Sequence, residues 1–228
     1  MILGFNTYTP NNILWRDKIN LSKKCGCQAV ELSYNSLDRT DWLDKLTLED
    51  FIDFDFISLH APTRFLYKNN KETNKLLVKL QNLHKKFNFN IIVLHSDIIL
   101  DWDVFKKYDL PIAIENMDNR KESGKTVEDL KEIFERNDIK MVLDINHCYV
   151  NDNSLKLVKE MYDNFKDRIV EIHLSGFEAF HDLLYKTKQI EFIKSLPNKN
   201  IPVIIESMID SIVDIKKEFD YIKKNLNN

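Results

Sequence analysis

Glycine is scarce in this chain, with four residues in 228. None of them falls in a G-x-G-x-x-G or G-x-x-x-x-G-K pattern, so the backbone phosphate cradles of dinucleotide and P-loop folds are not expected. Cysteine is scarcer still. Cys25, Cys27 and Cys148 are odd in number and lack framework spacing, which argues against a secreted disulfide scaffold. Cys25-Gly26-Cys27 is not a C-x-x-C metal or redox motif, and Cys148 reads as a small buried apolar residue. No apolar run approaches the roughly 20 residues of a membrane span. The opening MILGFNTYTP lacks a basic stretch followed by a long apolar one, so no secretory signal is expected either. Positive charge is not in excess: 33 Lys and Arg against 36 Asp and Glu give a net charge of -3, which excludes a polybasic nucleic-acid binder. Lys71, Lys75 and Lys79 recur at helical spacing and read as a solvated face. A cytoplasmic enzyme without a membrane partner is the simplest expectation.

What is present is alternation. Hydrophobic residues make up 43% of the chain, enough for a substantial core. Short apolar or β-branched runs read as strands at 2–6, 29–34, 56–60, 91–95, 111–115, 140–144, 169–174 and 202–206. Several are apolar almost throughout, as parallel strands buried on both faces require. Segments of helical periodicity lie between them, notably KETNKLLVKLQNLHKKF, TVEDLKEIFERN, SLKLVKEMYDNFKDR and DSIVDIKKEFDYIKKNL. Thr126 and Asp129 resemble a helix-opening capping box, and Gly26 sits where a helix would end before the second strand. Short helices are expected in TDWLDKLTLED and LDWDVFKKY. Eight strand–helix units in a chain of this length predict an α/β fold, a (β/α)8 TIM barrel forming a single domain over residues 1–228.

Polar residues at the strand ends carry the chemistry. His60 closes FISLH, His95 closes IIVLH, Glu115 closes PIAIE, Asp144 closes KMVLD, His173 lies in IVEIHL and Glu206 closes PVIIE. His147 follows Asp144 by three residues, and His181 lies in the loop after the seventh strand. A single strand-end histidine is more often a hydrogen-bonded structural residue than a ligand. Recurrence in six consecutive strands is different, because a barrel gathers all these ends on one face. Burying that many polar groups together calls for a compensating ion. Carboxylate with imidazole suits Zn²⁺, Mn²⁺ or Fe²⁺. Glu115, Asp144, His173 and Glu206 suffice for one ion. His60, His95, His147 and His181 then either hydrogen-bond a sugar or hold a second and third ion.

IAIEN at strand five, VLDINH at strand six and HLSG with a trailing histidine at strand seven resemble, in order and spacing, the xylose-isomerase-like TIM barrels. That superfamily includes endonuclease IV-type apurinic (AP family 2) endonucleases and many sugar isomerases and epimerases. The endonuclease pattern implies a hydrolase with three zinc ions, held by His60, His95, Glu115, Asp144, His147, His173, His181 and Glu206, with Glu115 as bridging carboxylate. It implies a phosphoester substrate, in that family an abasic site in DNA. The ninth ligand of that pattern is an Asp, and here the position is Ala179, with Glu178 and Asp182 nearby. The Gly-Glu-Gly that follows the last histidine in that pattern is DLLYKTK here. The isomerase pattern implies one ion on Glu115, Asp144, His173 and Glu206. The two glutamates would then move a proton next to the carbonyl of a sugar or sugar-phosphate, and His147 would bind the sugar. An arginine expected shortly after His173 is missing as far as Pro197. A non-catalytic metal- or ligand-binding barrel is the third alternative.

Substrate contacts are expected from Asn116, Arg64 and Arg120. Arg39, Lys68 and Lys121 are further candidates in loops on the same rim. Trp42, Phe65, Tyr67 and Phe177 either wall the site or pack beneath the loops.

Overall fold

The apolar runs pair as parallel neighbours in chain order, and the eighth returns to the first. In the computed structural model, which describes residues 1–8, 14–34, 36–37 and 42–226, they form a closed barrel of eight strands. The strands are β1 (Leu3–Asn6), β2 (Ala29–Ser33), β3 (Phe56–His60), β4 (Ile91–His95), β5 (Ile112–Glu115), β6 (Lys140–Asp144), β7 (Ile169–Leu174) and β8 (Val203–Ile205). The expected (β/α)8 architecture is what the chain adopts.

Alternation along each strand divides its side chains between two cores. Ala29, Phe56, Ile91, Val93, Ala113, Val142 and Ile204 make a small apolar cluster of their own. A much larger cluster packs the strands' other face against the helices. The small cluster fills the barrel interior below the strand ends, so the polar residues above it sit on a closed floor. Gly4 is needed where β1 meets β2: a Cβ there would lie 1.9 Å from the Ala29 carbonyl oxygen. Only a residue without a side chain tolerates that approach.

The helices follow the amphipathic segments. They are α1 (Trp15–Cys25), α2 (Lys71–Phe87), α3 (Val127–Arg136), α4 (Ile145–Asn151), α5 (Lys156–Phe165), α6 (Leu184–Thr187), α7 (Ile190–Lys194) and α8 (Ile212–Leu226). Helix α1 ends on Gly26 at φ 81°, the left-handed conformation that glycine adopts without a steric cost. Thr126 and Asp129 form the reciprocal capping box of α3.

Two connections depart from expectation. TDWLDKLTLED and LDWDVFKKY contain no α-helix among the described residues; they form 3-10 turns at Leu43–Lys45, Leu48–Phe51 and Trp102–Lys107. Burial of Leu43, Leu46, Phe51, Val104 and Phe105 in the core holds these segments as tight turns. The short α4 was not expected. It begins directly at the end of β6 because Asp144 caps it, its Oδ1 accepting from the His147 backbone N–H at 2.7 Å. No helix among the described residues is long and apolar enough to cross a membrane.

Candidate metal centre

Strand register brings the expected ligands together. His95 pairs with Glu115 across β4 and β5, and Asp144 pairs with His173 across β6 and β7. His60 ends β3, and Glu206 follows β8 directly. All lie at the C-terminal end of the barrel, most of them buried.

Glu115 is at the middle. Its Oε2 lies 3.4 Å from His60 Nε2 and 3.2 Å from His95 Nε2. Its Oε1 lies 3.0 Å from His173 Nδ1. Two groups of candidate ligand atoms result around Glu115, each within 4.8 Å of one another: His60, His95 and Glu115 in one, and Glu115, Asp144, His173 and Glu206 in the other; Glu31, Glu171 and His173 form a further such group that does not include Glu115. A carboxylate common to both groups is the arrangement of a ligand bridging two ions.

The fit to metal can be tested on the atoms. Asp144 Oδ2 is buried and has no hydrogen-bond partner, while its Oδ1 is used by α4. Such an orphan costs free energy unless something else satisfies it. Burial pushes the Asp144 carboxyl up to about 8, with Glu115 and Glu206 adding to the effect against His147. Burial would also raise Glu115, but His173, His60 and His95 hold it ionised, well below the usual carboxylate range. Glu206 is likewise held low by His173 against its burial. Burial disfavours the charged form of His60, yet Glu115, Glu31 and Glu206 outweigh it and bring His60 up to about 9. These carboxylates and imidazoles compensate one another only by competing for protons. The donor set, mixed nitrogen and oxygen, fits divalent ions of the Zn²⁺, Mn²⁺ or Fe²⁺ kind.

The remaining two histidines stand together beside this pair of groups. The His147 and His181 rings are 5.7 Å apart. His147 Nδ1 lies 2.8 Å from the Asn116 carbonyl oxygen, to which it donates; burial disfavours the charged ring, but Asp144 and Glu115 outweigh it and raise its pKa above the ordinary value. His147 Nε2 faces Asp118 Oδ2 at 3.8 Å. His181 Nδ1 meets Ser175 Oγ at 2.8 Å, and burial drives its pKa down to about 4, so the ring is neutral at neutral pH. Ala179 brings no ligand here, and neither neighbour replaces it. Asp182 Oδ2 accepts the backbone N–H groups of Glu178, Ala179 and Phe180, which spends it on the loop, and Glu178 is exposed. No third group of ligand atoms as compact as the first two includes His147 or His181 among the described residues.

Asn116 does not face the substrate side. It is fully buried, with Oδ1 accepting from Asp144 N at 2.7 Å and Nδ2 donating to Asp144 O at 3.0 Å. Its amide is used up tying β5 to β6, which corrects the expected substrate role. Arg64, Arg120 and Lys121 line a cavity of about 770 Å³ together with the candidate ligands His60, His95, Glu115, His147, His181 and Glu206. Arg120 donates to both Asp118 oxygens and stacks on Phe180 at 4.8 Å, and Lys121 pairs with Asp97 at 3.1 Å. Lys68 is exposed and is not part of the cavity lining, and Arg39 lies outside the described residues. All four candidate aromatics pack with other rings: Trp42 with Trp15, Phe65 with Tyr67, Tyr67 also with Phe105, and Phe177 with Tyr149. Tyr67 is fully buried; among the described residues, Tyr8 and Phe180 line the cavity.

Several contributors were not anticipated. Asp118 lies three residues past Glu115 and is buried under Arg120. Asn6 Nδ2 donates to Glu206 Oε1 at 3.1 Å, and the buried Lys18 stands behind it, 3.5 Å from Asn6 Oδ1 and 2.6 Å from the Tyr8 carbonyl oxygen. Glu171 lies under His173. Its signal was in the sequence: in VEIHL, residues 171 and 173 share one face of the strand.

Eight parallel strands with this centre at their C-terminal ends give the fold of the xylose-isomerase-like TIM barrels. Endonuclease IV from Thermus thermophilus superimposes at a TM-score of 0.70 with 12% identity, over 100% of this chain and 99% of that one. A xylose isomerase domain containing protein from Salmonella typhimurium gives 0.71 with 15% identity, over 100% and 97%. The 3-keto-D-glucoside 4-epimerase of E. coli gives 0.66 with 12% identity, over 98% and 99%. At these identities the likeness is one of fold. No curated protein matches by sequence. Within the fold, residues 103–196 match a more particular family model, that of the RiPP precursor modification enzymes MbnB/TglH/ChrH.

Proposed function

We propose that this chain is a divalent-metal-dependent enzyme built on a two-ion centre, and that hydrolysis of a phosphoester is the reaction the centre supports best. The observation that carries this is the division of one buried carboxylate between two ligand groups, with Glu115 Oε2 toward His60 and His95 and Oε1 toward His173. Two divalent ions, Zn²⁺ foremost, would lower the pKa of water and offset negative charge on a phosphoryl group.

The chain's own groups do the rest. Asp144 and Glu206 supply negative charge to the second position, and Asn6 fixes Glu206 by holding its Oε1. Arg64 and Lys121 give the cavity a cationic rim that draws in an anionic ester, with Arg120 held over Asp118. Neutral His181 is a proton acceptor at near-neutral pH, whereas burial disfavours the charge on His147 but Asp144 and Glu115 outweigh it, so that ring holds a proton more firmly than an ordinary imidazole. The reading is of two ions rather than three, because Ala179 has no donor and Asp182 is bound to backbone. An isomerase using Glu115 and Glu206 as its acid–base pair would leave His60 and His95 without a role.

A second reading has its own support. The family model named for RiPP precursor modification spans Glu115, Asp144, His147, His173 and His181, so the same two ions would act on a peptide chain entering the open cavity. One experiment separates the two. Metal-replete protein is assayed on a panel of small phosphodiesters, sugar phosphates and an abasic-site duplex, and in parallel on short ribosomal peptides by mass spectrometry. Phosphoester cleavage that is lost in His95→Ala supports hydrolysis. A mass change in a peptide with no phosphoester turnover overturns it in favour of the second reading.

A further inference from the structure

We infer that Glu171, with Glu31 beside it, is the positioning group of His173 and makes the two ion positions unequal. This rests on the two-ion reading above.

Glu31 pairs with Asn6 on one side and Ser58 on the other, and Glu171 shares the inward face of β7 with His173. Glu31, Ser58, Glu171 and His173 are all fully buried. The His173 ring stands between two carboxylate layers. Below, its Nε2 lies 2.8 Å from Glu171 Oε1 and 3.3 Å from Glu31 Oε2. Above, its Nδ1 lies 3.0 Å from Glu115 Oε1 and 3.2 Å from Glu206 Oε2. A neutral imidazole has one N–H. Carboxylates flank both nitrogens, but an ion held by Glu115, Asp144 and Glu206 would take the Nδ1 lone pair, and the proton would then sit on Nε2, where Glu171 and Glu31 accept it. Glu171 Oε2 and both Glu31 oxygens have no other hydrogen-bond partner, so their acceptor strength is not divided.

The other position has no such support. His60 Nδ1 faces one neutral acceptor, the Ala61 carbonyl oxygen at 3.1 Å. His95 Nδ1 has no hydrogen-bond partner, with Asp97 Oδ1 at 3.9 Å. A carboxylate behind a metal-bound histidine raises affinity about 10–100-fold. The Asp144–His173–Glu206 position therefore takes the first, resident ion, and the His60–His95 position takes a weaker, exchangeable one.

The test is a Zn²⁺ titration of the chelator-stripped full chain against a chromophoric competitor, with ¹⁵N NMR of the histidine rings. The wild type should bind in two separated steps. Glu171→Gln should weaken the tighter step about 10–100-fold and leave the weaker step in place, whereas His95→Ala should remove only the weaker one. In the loaded wild type, His173 should carry its proton on Nε2. That measurement does not depend on any variant folding. Two wild-type steps that Glu171→Gln leaves unchanged or weakens equally would overturn the inference, as would a proton on Nδ1. A third ion lost in Glu171→Gln would also overturn it, since Glu31 and Glu171 would then be ligands themselves. A wild type that binds no ion would remove the two-ion reading and this inference with it, whereas the other failures leave that reading standing.

Discussion

Glu115 Oε1 lies 3.0 Å from His173 Nδ1, while the opposite oxygen of the same carboxylate lies 3.2 Å from His95 Nε2. Each of the two proposed ion positions therefore depends on this one side chain. Glu115→Gln keeps the shape and removes the charge that both positions share. It should lower the metal content from two ions per chain to one or none and reduce turnover by about 10²–10³-fold. Elemental analysis of the purified variant, with its unfolding temperature as a folding control, checks this. Two ions retained in the variant would show that Glu115 is not shared.

Removal of metal should destabilise the whole barrel. Five carboxylates, Glu115, Asp144, Glu206, Glu171 and Glu31, crowd around His173 and its neighbours, and the Asp144 carboxyl reaches about 8 through burial. A ligand present at a hundred times its dissociation constant stabilises by about 2.7 kcal/mol. For a domain of this size that is a rise of roughly 5–10 °C in unfolding temperature. Calorimetry with excess EDTA and after adding back Zn²⁺ measures it. Equal unfolding temperatures in both samples would mean that no ion is held by the folded state.

Much of this was legible in the sequence, and the exceptions are physical. The strands were legible because parallel strands buried on both faces are short apolar runs with clear ends, and the clustering of the candidate ligands His60, His95, Glu115, Asp144, His173 and Glu206 followed from those ends. Helix α4 was not, because its start is set by Asp144 serving as strand end and helix cap at once. Asn116 was misplaced because sequence position fixes the strand end but not the direction of the amide, which the backbone of β6 claims. Lys18 and Asn6 lie far from the ligand motifs in sequence and reach Glu206 only because β1 closes the barrel beside β8.

Gly4→Ala should be among the most damaging small substitutions. The added Cβ would meet the Ala29 backbone 1.9 Å away, and the β1–β2 pairing prevents that backbone from moving aside. The expected cost is about 3 kcal/mol, seen as a drop of roughly 6–12 °C in unfolding temperature. A variant that melts with the wild type would show that the strands can separate at this point.

Asp182→Ala should act on the site through a loop. Burial would raise the Asp182 carboxyl, but the N–H groups of Ala179, Glu178 and Phe180 hold it down, and that ring of bonds shapes the turn carrying Phe180 and His181. Losing it should cost about 1–2 kcal/mol and raise KM more than it lowers kcat, because Phe180 and His181 line the cavity while Glu115 is untouched. A fall in metal content would instead place Asp182 among the ligands.

Lys18 sets a pH dependence of stability. Burial lowers its ammonium from the ordinary 10.5 to about 7, with Glu206 opposing. Between those values the unfolded chain holds a proton that the folded chain has released, so stability rises with pH across that window. Below about 7 both states are protonated, and the cost of burying the charge is borne in full. Lys18→Met removes the charge at every pH and should remove this slope. The stability difference between wild type and Lys18→Met should therefore shift in favour of the wild type by about 3 kcal/mol from pH ~7 to pH ~9.5. Urea unfolding of both proteins at several pH values measures it. Parallel curves would show that Lys18 keeps its proton in the folded state, held by Asn6 and the Tyr8 carbonyl and by the nearby charge of Glu206.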